Sequence, residues 1–184
     1  LGSGPVSFGN TNTLNSTYVG WTWDAGSSTV SNTDGTLTSS VRANPTAGIS
    51  ICTFSATTAN SMSTFGHGLA AAPEFVIVKP RNGSHNWAAY HKSTGLQERL
   101  QLNSTAASYD YGYDVWSSNN STVGIYSSIT AAPGTALNYV AYVFAPVEGF
   151  SSFGSYVGNS SSTDGPFVYI GMRPKWIMIK NITT

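Results

Sequence analysis

Residues 73–79 read PEFVIVK, a run of aromatic and β-branched residues bounded by a proline and a lysine. This composition is typical of a buried β-strand. Similar runs recur between clusters of Gly, Pro, Asn and Ser, at residues 49–54, 100–102, 123–126 and 139–144. Residues 94–102 have room for a helical turn, but Gly95 argues against a longer helix. Many short strands without helical windows predict an all-β fold, an antiparallel β-sandwich or a barrel-like pair of sheets.

The polar residues of this chain are mainly Ser, Thr and Asn, and few of them are charged. Only 9% of the 184 residues are charged, against about 25% in an ordinary soluble domain. Eight basic and eight acidic side chains cancel, so no net field attracts nucleic acid or an anionic membrane. Ser and Thr supply roughly a quarter of the residues, while aromatic residues reach 12%. We therefore expect an extracellular, β-rich protein with no nucleic-acid partner and no membrane insertion.

An internal repeat is present in the strand-forming runs. Residues 48–54 (GISICTF) resemble residues 149–155 (GFSSFGS), and residues 73–79 resemble residues 174–180 (PKWIMIK). The offset is 101 residues in both pairs, from 149 − 48 and from 174 − 73. Two blocks in the same order at one spacing indicate that a structural unit recurs along the chain.

A third pair shows where the repeat is interrupted. Residues 18–23 (YVGWTW) resemble residues 139–144 (YVAYVF) at an offset of 121, which is 20 residues longer than the first offset. The extra residues fall in a polar stretch after residue 23. The repeat predicts tandem sandwich modules, with an incomplete module at each end. The predicted parts are the last strands of a preceding module (1–24), a polar insertion (25–47), one complete module (48–147) and the opening strands of a following module (148–184).

The cysteine and histidine residues give little support for catalysis or metal binding. Cys52 is the single cysteine, which excludes an internal disulfide, and its counterpart in the repeat is Phe153. It is therefore expected to be a small core residue. His67 has a valine as its counterpart, and His85 and His91 have no carboxylate near them in sequence. We expect no catalytic residue, no metal site and no cofactor.

Two clusters combine aromatic with polar side chains and are candidate glycan-contact sites. The first, at residues 86–91, contains Trp87 and Tyr90. The second, at residues 109–116, contains Asp110, Tyr111, Tyr113 and Asp114. Tyrosine and tryptophan rings stack on sugar faces, and carboxylates accept hydrogen bonds from sugar hydroxyls.

The second cluster has more than one interpretation. If it is extended, its tyrosines alternate with Asp110 and Asp114, so that rings and carboxylates lie on opposite faces. The carboxylates are then glycan contacts or oxygen ligands for calcium. The same alternation is also produced by a core-facing aromatic stripe with a solvated outer face.

Several blocks of the chain, in order, resemble a module that recurs in virion proteins of tailed bacteriophages. The blocks are YVGWTW at 18–23, VRANPTAGISI at 41–51, GHGL at 66–69, PEFVIVK at 73–79 and FSSFGSY at 150–156. That module often accompanies laminin-G or concanavalin-like sandwich domains in fibre and appendage proteins. The resemblance implies a non-catalytic structural component of a phage particle, on the virion surface, in a tail fibre, tail tip or head decoration.

The resemblance also implies partners. By analogy with fibre modules, they are other copies of the chain, with a trimer as the expected assembly, and other virion proteins. A host-facing, adhesive role adds a host-surface glycan. Two alternatives remain open: an extracellular carbohydrate-binding adhesin, and a glycan depolymerase.

Overall fold

The computed structural model describes residues 13–57 and 59–183. Within these residues there is no α-helix, and two short 3-10 turns lie at Lys92–Thr94 and Ser127–Ile129. No helix among them is long and apolar enough to cross a membrane. The strands are β1 (Val30–Asn32), β2 (Ser39–Asn44), β3 (Ile49–Thr57), β4 (Met62–Gly66), β5 (Phe75–Pro80), β6 (Ala88–His91), β7 (Glu98–Gln101), β8 (Tyr109–Asp110), β9 (Trp116–Ser118), β10 (Thr122–Tyr126) and β11 (Ala136–Phe144).

These strands form two antiparallel sheets. The larger has the order β1-β2-β3-β11-β5-β6-β7-β8, and the smaller has the order β4-β10-β9. The predicted all-β class and antiparallel pairing are confirmed. All five predicted strand runs overlap a strand (β3, β5, β7, β10 and β11). The helical turn allowed at residues 94–102 is not found there, since the 3-10 turn at Lys92–Thr94 ends at the first residue of that window and β7 occupies Glu98–Gln101.

Strand β11 is the centre of the larger sheet. It pairs with β3 along its full length, from Ala136↔Thr57 to Phe144↔Ile49, and with β5 on its other side. Its side chains alternate in burial, with Tyr139, Ala141 and Val143 fully buried. This period of two is what a strand in the middle of a sheet requires when one face covers the core.

The main core lies on this face of the larger sheet. Trp116, Phe65, Val123 and Ile125 of the smaller sheet belong to one buried cluster with residues of β3, β5 and β11. Apolar burial of this kind is the dominant favourable contribution to folding. The two sheets are therefore the layers of a β-sandwich.

The opposite face of the larger sheet has a smaller apolar cluster. Phe75, Ala89 and Leu100 are buried there, with Phe153 and Ile182 packed against them from the C-terminal part of the chain. We call this the outer face.

Residues 25–47, which the repeat predicts as an insertion, contribute β1 and β2 to the larger sheet. Val41 of β2 pairs with Cys52 of β3, and both side chains are buried in the core. Apolar residues inside a polar stretch are thus enough to extend the sheet. The predicted segment 1–24 lies partly outside the described residues.

Candidate functional site

Four tyrosine rings form a ladder at one side of the sandwich. The ring centroids are 4.7 Å apart between Tyr109 and Tyr111, 6.0 Å between Tyr111 and Tyr113, and 5.4 Å between Tyr113 and Tyr126. Each neighbouring pair meets edge to face, an arrangement favoured by the ring quadrupoles. Tyr109 is 56% exposed and Tyr113 is 48% exposed. The ladder therefore presents aromatic surface to solvent.

Arg99 supports the ladder from the neighbouring strand. It lies opposite Tyr109 in the β7–β8 pair, and its guanidinium is 5.8 Å from the Tyr109 ring and 5.7 Å from the Tyr111 ring. Its Nη1 donates to the Ile129 carbonyl at 2.7 Å. Burial raises the pKa of Tyr111, and the Arg99 charge opposes this shift. The cation over two ring faces holds the ladder in place.

The chain leaves the extended conformation just after β8. The Asp110 carboxylate accepts a hydrogen bond from the Gly112 amide at 2.7 Å, and Gly112 has φ +70°. The sequence pattern predicts alternation only for an extended segment, and that condition is met at Tyr109–Asp110 alone. The tyrosines nevertheless line up, because a turn and not a pleat brings their rings together.

A shallow depression of about 370 Å³ borders this region. It is lined by Thr94, Gly95, Leu96, Gln97, Glu98, Asp110 and Asp114. Glu98 faces Asp110 across the β7–β8 pair, so three carboxylates line one concave surface. None of the four ladder tyrosines lines this depression, and successive side chains of the Tyr109–Asp110 strand point to opposite faces of the sheet. The rings and the carboxylates therefore present two neighbouring but separate surfaces, one suited to stacking on a sugar ring and the other to accepting hydrogen bonds from hydroxyls.

The structure separates the other two candidate residues. Trp87 is 37% exposed, stacks on Tyr142 at 6.4 Å and has the Lys79 ammonium 6.0 Å from its ring. Tyr90 is only 6% exposed and packs in the main core beside Trp116. A ring in that position cannot meet a ligand at the surface, so Tyr90 is removed from the candidate set.

Cys52 has the features of a core residue. Its side chain is fully buried, and burial raises the pKa of its thiol to about 11. The thiolate, which is the reactive form of cysteine, is therefore disfavoured. In the part of the chain that the structure describes, no three His, Cys, Asp or Glu side chains are grouped so that they could hold a metal ion.

Comparison with known proteins places the chain in a family. Residues 1–184 match the profile of a family described as "Domain of unknown function (DUF7483)". The chain belongs to this family. No curated protein and no solved structure matches it.

Several residues of the site are missed by sequence reasoning. Arg99 and Glu98 join it only because β7 pairs with β8, and Tyr126 only because β10 ends beside Tyr113. For Arg99 and Glu98, the available sequence signal was a hairpin between the run at residues 100–102 and Tyr109. No local sequence pattern indicates that Tyr126 joins the site.

Proposed function

We propose that this chain is a non-catalytic, structural β-sandwich module of a host-facing appendage on a tailed-phage particle. The observation that carries the proposal is the 101-residue repeat, which extends from sequence to backbone conformation. Gly48 and its counterpart Gly149 have φ +66° and +72°. Ala70 and its counterpart Gly171 have φ +57° and +73°. Positive φ is uncommon for a residue other than glycine, so the match of Ala70 with Gly171, together with the two matched glycines, supports a recurring unit.

The tandem organisation follows from the same repeat. The segments that recur outside the sandwich correspond to the three adjacent central strands of the larger sheet, β3, β11 and β5. Residues 1–24 are then closing strands of one module and residues 148–184 are opening strands of another. A repeat unit that cannot bury its own apolar face is stabilised by stacking on neighbours.

The acidic residues support a non-catalytic role. A glycan depolymerase needs a pair of carboxylates, one of them held in an environment that favours its protonated form. All eight acidic residues lie in the described part of the chain, and each is exposed or half-buried. None has the apolar enclosure that such an acid requires.

Virion location and assembly rest on the resemblance to phage virion modules and on the exposed apolar residues. Large apolar side chains are exposed in both end segments, among them Trp21, Phe150, Phe167 and Ile177. Contiguous exposed apolar surface commonly marks an assembly interface. A homo-oligomer, with a trimer as the expected form, covers these surfaces together with other virion proteins.

Cryo-electron microscopy of the native assembly at side-chain resolution tests this proposal. We expect successive sandwich modules in a symmetric, particle-attached assembly. For the isolated chain, light scattering is expected to give about three times 19.4 kDa. A particle that lacks the chain, or an isolated monomer with a ligand in a groove, would overturn the structural role.

The tyrosine ladder favours one second function, a carbohydrate-binding adhesin. Its physical basis is stacking of sugar rings on the exposed rings of Tyr109 and Tyr113. The acidic depression lined by Glu98, Asp110 and Asp114 is a separate set of hydrogen-bond acceptors next to the ladder. Trp87 on the outer face is a separate, smaller platform.

Substitution of one exposed ring tests glycan binding. We expect Tyr113→Ala to weaken binding to surface glycans of the host by about tenfold, since the sugar loses the apolar surface that the ring buries on binding. Tyr169→Ala is the matched control, because Tyr169 is 83% exposed and lies outside the ladder. Calorimetry measures both, and equal affinities for the two variants would exclude the ladder as the site.

A further inference from the structure

The order of strands in the larger sheet defines what a recurring module needs at its centre. Strand β11 lies between β3 and β5, and Tyr142 pairs with Ile51 on one side and with Ile77 on the other. Without β11, the facing edges of β3 and β5 have no backbone partner. A module therefore requires a β11-type strand in this slot.

Copies of all three strands exist in this chain outside the sandwich. Residues 18–23 correspond to β11, residues 150–155 to β3 and residues 174–180 to β5. None of these described segments belongs to a named strand, although Ser151 forms an isolated bridge with Val147. Their apolar side chains are largely exposed; Trp21 is 62%, Phe150 62% and Ile177 64% exposed.

One aromatic contact between the two end segments matches a cross-strand pair of the sandwich. Trp23 is the counterpart of Phe144 (144 − 23 = 121), and Trp176 is the counterpart of Phe75 (176 − 75 = 101). Phe144 and Phe75 are cross-strand partners with ring centroids 5.6 Å apart. The Trp23 and Trp176 ring centroids are 5.7 Å apart. The two offsets were obtained from different segments, yet together they predict that Trp23 lies opposite Trp176, and these two rings are in contact.

The positions of the end segments allow this pairing within one chain. The carbonyl of Gly26 accepts a hydrogen bond from Arg42 Nε of β2 at 2.7 Å, and Lys180 Nζ donates to the Ala106 carbonyl beyond β7 at 2.9 Å. In the sheet order, β2 and β7 are five strand spacings apart, which is about 24 Å. A six-residue strand spans about 20 Å. Residues 18–23 are anchored near β2 and residues 174–180 beyond β7, and the distance between these anchors is close to the length of one such strand. The two segments can therefore run antiparallel to each other, side by side.

The third segment is held on the same surface. Phe153 packs on the outer face, with its ring centroid 6.0 Å from that of Phe75 and 6.4 Å from that of Phe144. Phe153 and Lys180 thus tie two of the segments to the sandwich, and Gly26 ties the chain to it three residues after Trp23. Tethering favours pairing within the chain because of the high effective concentration.

We infer that residues 18–23 occupy the slot between residues 150–155 and 174–180 of the same chain, forming a second three-stranded sheet. This inference rests on the 101-residue repeat used for the proposed function, and it places the two end segments in one shared sheet instead of in two separate neighbouring modules. The register follows from β5–β11, and places Trp23 opposite Trp176 and Trp21 opposite Met178. A second copy that supplied its own residues 18–23 would compete for the same slot.

Engineered cysteine pairs test the register beyond the existing tryptophan contact. We expect Trp21→Cys with Met178→Cys to form an intramolecular disulfide. In the control pair, Trp21→Cys with Ile177→Cys, the side chain at 177 points to the opposite face, so cross-linking should be at least about tenfold slower. The replaced side chains are exposed, and Cys52 is too deeply buried to compete.

Mass spectrometry and non-reducing denaturing gels give the readout. A cross-linked monomer for the first pair alone supports the inference. Equal cross-linking of both pairs would show proximity without a strand register, and would overturn it. Disulfide-linked dimers in dilute solution would overturn it in favour of a second copy as the occupant. Because denaturing gels report the chains and not the assembly, the result is separate from the oligomeric state tested above.

Discussion

At the scale of single residues, His67 shows how a polar side chain becomes structural. It is fully buried. Its Nδ1 accepts from the Leu69 amide at 3.2 Å, and its Nε2–H therefore donates to the Asn119 carbonyl at 3.0 Å. Burial lowers the pKa of His67, and the hydrogen bond to Asn119 opposes this shift. A neutral ring with both nitrogens engaged ties two loops together.

The buried imidazole makes stability depend on pH. The unfolded chain takes up a proton on His67 near pH 6.5, whereas the folded protein takes it up only at lower pH. The free energy of unfolding should therefore fall as the pH drops from about 7 through 6.5 and towards 5. Urea denaturation across this range measures the slope.

Two variants separate the contributions to this slope. His67→Gln should make the slope shallower, because no group remains at that site to take up the proton. His91 also has its pKa lowered, by burial, so His91→Gln should remove only a part. An unchanged slope in His67→Gln would show that other groups cause the pH dependence.

At the scale of strands and turns, the connection before β3 has a strict steric requirement. Gly48 has φ +66°, and a Cβ added there would lie 2.4 Å from the Ala145 carbonyl oxygen. Left-handed backbone costs a non-glycine residue roughly 1–2 kcal/mol. The close approach adds a second cost, because it is made by backbone at the end of β11 and cannot be relieved by a rotamer change.

The repeat supplies a matched control for this turn. We expect Gly48→Ala to lower the free energy of unfolding by about 2–4 kcal/mol, combining backbone strain with the steric clash. Gly149 has φ +72° with no atom within 4 Å of an added Cβ. Gly149→Ala should therefore cost only the backbone term, about 1–2 kcal/mol. Thermal and urea unfolding compare the two, and equal losses would contradict the steric explanation.

Strands were predicted well wherever burial enforces a local pattern. Residues 139–144 and 73–79 combine β-branched and aromatic residues because both strands lie in the middle of the larger sheet. The segment at 109–115 was predicted less well. Its Tyr-x-Tyr-x-Tyr pattern is compatible with a strand, but Asp110 caps a turn at Gly112 and the strand ends.

At the scale of the whole molecule, the outer face of the larger sheet is partly apolar and partly covered by the chain. The main core lies between the sheets, and the outer face has its own cluster around Phe75, completed by Phe153 and Ile182. Part of the C-terminal segment thus packs on the face opposite the core. We propose that the exposed apolar residues of both ends are covered by the second sheet inferred above or by a neighbouring module.

The sequence by itself determined the all-β class, the positions of the central strands and the 101-residue repeat, because these depend on local composition and on comparing the chain with itself. Only the tertiary structure decided which aromatic residues form a surface. Tyr90 and Tyr113 are alike in sequence, yet one packs against Trp116 in the core and the other belongs to an exposed ladder. The physical reason is that strand pairing and sheet packing join residues far apart in the chain, and the burial of each ring is set by those distant neighbours.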